Sequence, residues 1–209
     1  MAANQLWAAD ITYIMLNNGD VCYLHLITDA YSRMIVGWEL ADTLRASITI
    51  KALEQAISQT GGVSLEGLIH HSDRGVQYCC DDYVRTLQTH KIKISMTEDY
   101  NPTDNAIAER ANGVIKTETV YSRKTFNSLE HARNVIGRFI HFYNYRRPHM
   151  SIGYKIPAVV HTETGPQKKM WKKNNYPKKA YNNGNNEISL PCQTTGADDG
   201  CNHHTVYSI

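Results

Sequence analysis

The sequence predicts an α/β fold, a mixed five-stranded sheet flanked by helices, on three observations. Three short β-rich runs joined by tight turns open the chain, the hydrophobic period then changes from two to 3.6, and two more apolar runs follow, separated by helical stretches. Strands joined by tight turns pair antiparallel, while strands separated by helices pair parallel. The sheet should therefore be an antiparallel meander joined to a parallel half.

Each element follows from local pattern. Leu6 to Met15, rich in Trp, Ile, Thr and Tyr, predicts the first strand. Asn17-Asn-Gly-Asp20 is a hairpin signal, Val21 to Asp29 the second strand, and Met34 to Leu40 the third after the short connection Ala30 to Arg33. Leu44, Ile48, Leu53, Ala56 and Ile57 keep helical spacing until Gly61-Gly62 stops the run. Leu68-Ile69-His70 predicts the fourth strand, Asp81 to Thr89 a helix, and Ile92 to Met96 the fifth strand. Thr97 to Asp104, with Asn101-Pro102, predicts a loop. Asn105 to Val120 predicts a helix capped by Asp104 or Asn105, and Leu129 to Tyr143 a strongly amphipathic one ending before Arg146-Arg147-Pro148.

Composition bounds the partners. At 209 residues there is room for one sizeable domain, and 42% hydrophobic with 20% charged residues is ordinary for a soluble protein. No stretch approaches the ~20 apolar residues of a membrane span, and Met1 to Gln5 does not resemble a signal peptide, so a cytoplasmic location is expected. Five cysteines, two of them adjacent, make a poor disulfide framework. Residues 1–160 hold 16 Lys+Arg against 16 Asp+Glu. The net charge of +2 thus comes from 161–209, where six Lys between Lys168 and Lys179 face four acids. The domain reading is a core over 1–160 and a basic tail over 161–209, whose polar composition predicts disorder.

Three acids carry the chemistry: Asp10 in the first strand, Asp73 just past the fourth, and Glu109, 35 intervening residues later, early in a helix. Carboxylates on separate elements that converge are what two-metal phosphoryl transfer requires, and hard cations such as Mg²⁺ take oxygen ligands. Asn112, Gly113 and Lys116 follow Glu109 at i+3, i+4 and i+7, on one helical face. Asn112 and Lys116 on that face, Arg74, Gln77 and Tyr78 after Asp73, and Arg146 and Arg147 near a helix end are candidate DNA contacts, with His149 completing a basic cluster beside the last two.

Four segments in order resemble a known family: Asn4-Gln-Leu-Trp7-Ala-Ala-Asp10-Ile-Thr-Tyr13, His71-Ser-Asp73-Arg-Gly-Val-Gln77-Tyr78, Asn101-Pro-Thr-Asp104-Asn-Ala-Ile-Ala-Glu109 and Tyr143-Asn-Tyr-Arg-Arg147-Pro-His149. Together they look like the DDE transposases of bacterial insertion sequences, whose catalytic core is shared with retroviral integrases. The resemblance implies a ribonuclease-H-like fold, with Asp10, Asp73 and Glu109 as catalytic ligands of two Mg²⁺ or Mn²⁺ ions. It implies cleavage at element ends, strand transfer into target DNA, and a homo-oligomer on DNA. Such transposases carry a helix-turn-helix segment before the core, and none is legible before Asn4. A helix-turn-helix companion from an upstream reading frame is therefore the expected partner for end recognition.

Other readings stand beside these. A catalytically silent DNA-binding remnant and a ribonuclease-H-type nuclease are the alternative functions. Asp29 and Asp42 suit turns, His70 and His71 suit packed positions, and Glu98 and Glu118 are rival acids better read as surface charges. Cys192, Cys201, His203 and His204 fit no standard zinc spacing.

Overall fold

The computed structural model describes residues 1–97, 106–120 and 126–168, which belong to one unit spanning Met1–Lys172. The loop expected over 97–104 falls outside the described residues from 98 onward, as do both candidate caps, Glu98, and the tail beyond Lys168 with its Cys and His residues.

Five strands form one sheet in the order β3-β2-β1-β4-β5. They are β1 (Leu6–Met15), β2 (Val21–Asp29), β3 (Ile35–Ala41), β4 (Ile69–Ser72) and β5 (Lys93–Met96). The β1–β2 and β2–β3 pairs are antiparallel, while β4 runs parallel to both β1 and β5. The expected meander and parallel half are both present. β3 starts and ends one residue late, and β4 lies over Ile69–Ser72 because Leu68 is held in a turn by its N–H to the Leu65 carbonyl (3.0 Å). That shift carries β4 up to Asp73.

Alternation of side chains along β1 divides the interior into two cores. Ile14, with Leu24, Leu26 and Ile35, packs under α3 (Ala106–Ile115) and α4 (Leu129–Tyr145) through Ala111, Ile115, Ile136 and Ile140. On the opposite face Trp7, Ala9 and Ile27 meet α1 (Ala46–Gln59) and α2 (Asp81–Thr89) through Ala52, Leu53, Tyr83 and Leu87. Asp81 and Asp82 occupy the first turn of α2, where the helix dipole favours negative charge. The Ser128 side chain accepts the His131 N–H and caps α4.

The helix expected to continue to Val120 does not stay α-helical. From Lys116 to Val120 it widens into a π-helical turn, with the Thr119 hydroxyl donating to the Ile115 carbonyl at 2.6 Å. After α4 come a short 3-10 turn (Met150–Ile152) and α5 (Pro157–His161). The segment after α5 is tied to the front of the chain, since the Gly165 N–H reaches the Met1 carbonyl at 2.8 Å and the Tyr31 hydroxyl donates to the Gly165 carbonyl at 3.0 Å. Asp29 takes the turn role expected of it: its carboxylate, fully buried, accepts the N–H groups of Asn4, Tyr31 and Ser32.

Helices α1 and α4 both clamp the edge strand β3. The Asn144 amide bonds the Ile35 N–H (2.9 Å) and carbonyl (2.8 Å), Gln55 Oε1 accepts the Trp38 N–H at 2.7 Å, and Arg133 donates to the Leu40 carbonyl. Gly37 lets α1 come close: a Cβ there would lie 2.1 Å from the Ala52 carbonyl oxygen. Overpacking costs roughly 1–3 kcal/mol, and a collision with backbone falls at the high end. Gly37→Ala should therefore lower unfolding stability by about 3 kcal/mol, measured as the urea midpoint shift against wild type.

Candidate functional site

The β1–β4 register brings two of the acids together. Leu6, Trp7 and Ala8 pair with Ile69, His70 and His71, a constant offset of 63 residues (69 − 6, 71 − 8). The pairing ends there and β4 ends at Ser72, so Asp73 leaves the sheet on the β1 side, close enough for its charge to act on Asp10. Asp10 sits mid-strand on the α3 side and is only partly exposed. Asp73 follows the last residue of β4 and is exposed. Glu109 approaches from above, in the first turn of α3, also exposed.

Asp10 is the strained member. Burial pushes its carboxyl up to about 6, against hydrogen bonds from the Asn112 amide (2.7 Å to Oδ2) and the Ile11 N–H (2.9 Å to Oδ1) that pull the other way. The negative charges of Asp73 and Glu109 push it further up. Asp73 and Glu109 are each therefore near enough to Asp10 to act on it through space. Among the described residues, no three His, Cys, Asp or Glu close to coordination distance of one point. Magnesium does not demand that closure, because it usually takes one or two protein carboxylates and completes its shell with water and phosphate oxygens. The oxygen-only donor set, with the Asp10 charge only partly offset by its two hydrogen bonds, fits a hard divalent cation.

Local backbone presents Asp73. Its Oδ1 accepts the Gly75 N–H at 2.9 Å, and a Cβ at Gly75 would lie 2.9 Å from that same oxygen and 3.1 Å from Gln77 Oε1. A side chain there would displace the Asp73 carboxylate or the Gln77 amide from this turn. Asp73 and Gln77 line a groove of about 250 Å³ with Ile11, Tyr13, Tyr23 and Leu44. Glu109 lines a second, open groove of about 570 Å³ with Arg110, Gly113, Thr117 and Glu118.

The remaining sequence candidates divide. Lys116 lies 4.3 Å from the ring centre of Tyr13, an exposed residue of β1. Arg74 and Arg146 are exposed. Asn112 is 5% exposed with its amide on Asp10, so the surface DNA contact expected of it is corrected to a positioning role. Tyr78 is 2% exposed and packs edge-on against Tyr83, so it is core rather than an open DNA contact. Glu118 lies at the surface as expected, and Arg147, expected as a DNA contact, holds it through Nε at 3.1 Å to both carboxylate oxygens. His149 is buried, and burial with the cations Arg147, Arg33 and Arg110 pushes it down to about 4, which removes it from the basic cluster at neutral pH. His70 and His71 are packed as expected, His70 on the Tyr83 hydroxyl (2.8 Å) and His71 on Ser95 Oγ (2.9 Å).

Sequence reasoning missed Tyr13 and Tyr23 beside Asp73, and no pattern marks them, because they come from different strands. The partner of Asn112 was likewise invisible, although its i+3 spacing from Glu109 singled it out.

Comparison with known proteins agrees with this arrangement. Two family models, both described as integrase core domain, match residues 1–102 and 90–157. A protein of the insertion sequence element IS986/IS6110 of Mycobacterium tuberculosis is 37% identical over 161 residues, covering 76% of this chain and 57% of its own length. The transposase InsF for insertion sequence IS3A of Escherichia coli is 33% identical over 155 residues, 74% of this chain and 52% of its own. The chain therefore spans little more than half the length of these relatives. Among solved structures, the HTLV-2 integrase catalytic core domain in complex with magnesium superposes with a TM-score of 0.60 at 21% identity, over 77% of this chain and 98% of that one. The fold is that of the retroviral integrase cores, ribonuclease-H-like.

The raised Asp10 carboxyl has a stability consequence with a defined sign. In the folded state it binds a proton more tightly than in the unfolded chain, whose value is near 3.8. Its contribution is fully present below about pH 4 and is lost as pH rises through about 6. At pH 8 the loss is about 3 kcal/mol. In chelator, Asp10→Asn should therefore unfold at a higher temperature than wild type at pH 8, and the difference should vanish near pH 4. Thermal unfolding across that range checks it.

Proposed function

The chain belongs to the integrase core domain family, and from that premise we propose that it is the catalytic core of an insertion-sequence transposase, carrying out metal-dependent DNA strand cleavage and strand transfer. The observation that carries this reading is the half-buried Asp10 carboxyl of β1, held by the Asn112 amide of α3 and within reach of the charges of Asp73 at the end of β4 and Glu109 on α3.

In this proposal Asp10, Asp73 and Glu109 hold two Mg²⁺ or Mn²⁺ ions, which when bound supply an activated water or 3′-hydroxyl and neutralise charge on the leaving oxygen. Asp10 is the fixed ligand, because its strand is central and the Asn112 amide holds Oδ2. Asp73 and Glu109, both exposed, meet the DNA from opposite sides. The grooves beside them offer a path for a strand, with the Tyr13 and Tyr23 rings and the Gln77 amide lining one end. Lys116, Arg74, Gln77 and Arg146 are the proposed DNA contacts. Arg147, which orders Glu118 beside the Glu109 groove, contributes through that pair. In-line transfer of this kind rests on positioning and charge neutralisation rather than a covalent enzyme intermediate.

The proposal extends to assembly. Joining two element ends calls for more than one copy on DNA, the ends and the target being the substrates. A helix-turn-helix companion supplies end recognition, and residues 1–160 form the catalytic core. Among the described residues no helix is long and apolar enough to cross a membrane.

Nicking of supercoiled plasmid and joining of oligonucleotide ends, both with Mn²⁺, test the function. Asp73→Asn and Glu109→Gln should each lower the rate by about 10³-fold or more, since each removes several kcal/mol of charge stabilisation. Unchanged rates in either variant would overturn that residue's role. Cleavage restricted to RNA–DNA hybrids, with no joining, would instead favour a ribonuclease-H-type nuclease.

A further inference from the structure

On the side of α3 away from Glu109 lies a cavity of about 440 Å³ that the proposed reaction does not use. Its wall is built from α3 (Ile107, Arg110), the β2–β3 region (Thr28, Arg33), α4 (Tyr143) and the turn after it (Met150, Ser151). Two guanidinium groups face it. Among the described residues neither Arg33 nor Arg110 makes a salt bridge, and the Arg33 Nε donates only to the neutral Ser151 hydroxyl at 3.2 Å. The carboxylate closest in charge to Arg33, that of Asp29, is already saturated by backbone and hydroxyl donors from Asn4, Tyr31 and Ser32. The Thr28 hydroxyl, on a side chain 1% exposed, has no hydrogen-bond partner. A partly desolvated guanidinium, that of Arg33, and a buried unpaired hydroxyl are costly unless an anion or acceptor completes them, and the exposed Arg110 adds a second cation without a carboxylate partner.

The cavity also opens toward the candidate site. Ala106 and Arg110 line both it and the Glu109 groove, so Arg110 stands on the ridge between them. Apolar and aromatic walls from Ile107, Tyr143 and Met150 complete a volume within the range of small-molecule sites.

We propose that this cavity receives one nucleotide of the DNA strand lying in the Glu109 groove, its phosphate between Arg33 and Arg110 and its sugar and base against Ile107, Tyr143 and Met150. The inference rests on the reading of the Glu109 groove as a DNA path. Phosphate supplies the missing anion, Thr28 and Ser151 offer hydroxyls to its oxygens, and the sugar and base find apolar contact on Ile107 and Met150.

Anisotropy titration of the full chain with fluorescein-labelled oligonucleotides in chelator tests it without any cleavage. Arg110→Gln should weaken binding about 5–10-fold and reduce the salt slope by about 0.7–0.9, the value of one phosphate contact. Ile107→Trp, which fills the cavity and leaves charge unchanged, should weaken binding by a similar factor, while the exposed Lys93→Gln should not. Thermal unfolding of each variant reports its folding separately. Competition by inorganic phosphate or a mononucleotide as effective as by an oligonucleotide of equal phosphate concentration would identify a free-anion site and overturn the strand assignment. Binding by both cavity variants within twofold of wild type would overturn the inference, even where Mn²⁺-dependent nicking proceeds. Loss of binding in these variants from a chain that nicks nothing would support the cavity while sinking the proposed catalysis.

Discussion

The site depends on one constraint: β1 has an antiparallel neighbour on one side and a parallel neighbour on the other. The antiparallel pairing with β2 places β1 deep in the sheet and buries residues on both its faces. The parallel pairing with β4 makes the two strands end in the same direction, so that the residue leaving β4 arrives beside the middle of β1. A slip of one residue in that register would turn Asp10 to the opposite face, toward α1 and α2 and away from α3. Glu109 would then have no carboxylate to meet. The hydrophobic alternation Trp7, Ala9 against Ile14 is what forbids the slip, so core packing and site geometry are fixed by the same residues.

Burial of Asp10 works against the folded state. Desolvation and two neighbouring negative charges all favour the protonated carboxyl, and only the Asn112 amide and the Ile11 N–H oppose them. Asn112 is committed to this: its amide nitrogen reaches Asp10 while its own carbonyl oxygen is buried without a partner. Such an arrangement is costly for stability alone and makes sense where a cation offsets it, since metal binding energy then becomes folding energy. Strain and the proposed site lie in the same few side chains.

The sequence made much of this legible, and its limits are physical. Helix α2 was visible residue for residue because its acidic first turn and apolar spacing agree. The strands were visible because aromatic and β-branched runs are bounded by turn residues. Asp10, Asp73 and Glu109 stood out through short motifs, each local in sequence. What stayed hidden was anything set by contacts between distant segments. Tyr78 and Asn112 looked like surface polar groups until the sheet and α3 buried them. The π-helical turn at Lys116 leaves no signature in a periodic pattern. The pairing of Arg147 with Glu118 spans 29 residues, and the cavity draws on Arg33 and Arg110 from opposite sides of the sheet's turn.

The clamping of β3 has a consequence for how copies of this chain would meet in the proposed assembly. An outer strand normally presents a row of open backbone groups on which a foreign chain can add itself, the route to swapped and fibrous assemblies. Here Asn144, Gln55 and Arg133 occupy that row at Ile35, Trp38 and Leu40 with side chains from two helices. Along that border the sheet is closed to extension. Self-association there must proceed through helix and loop surfaces, which can be separated again without unzipping a ladder.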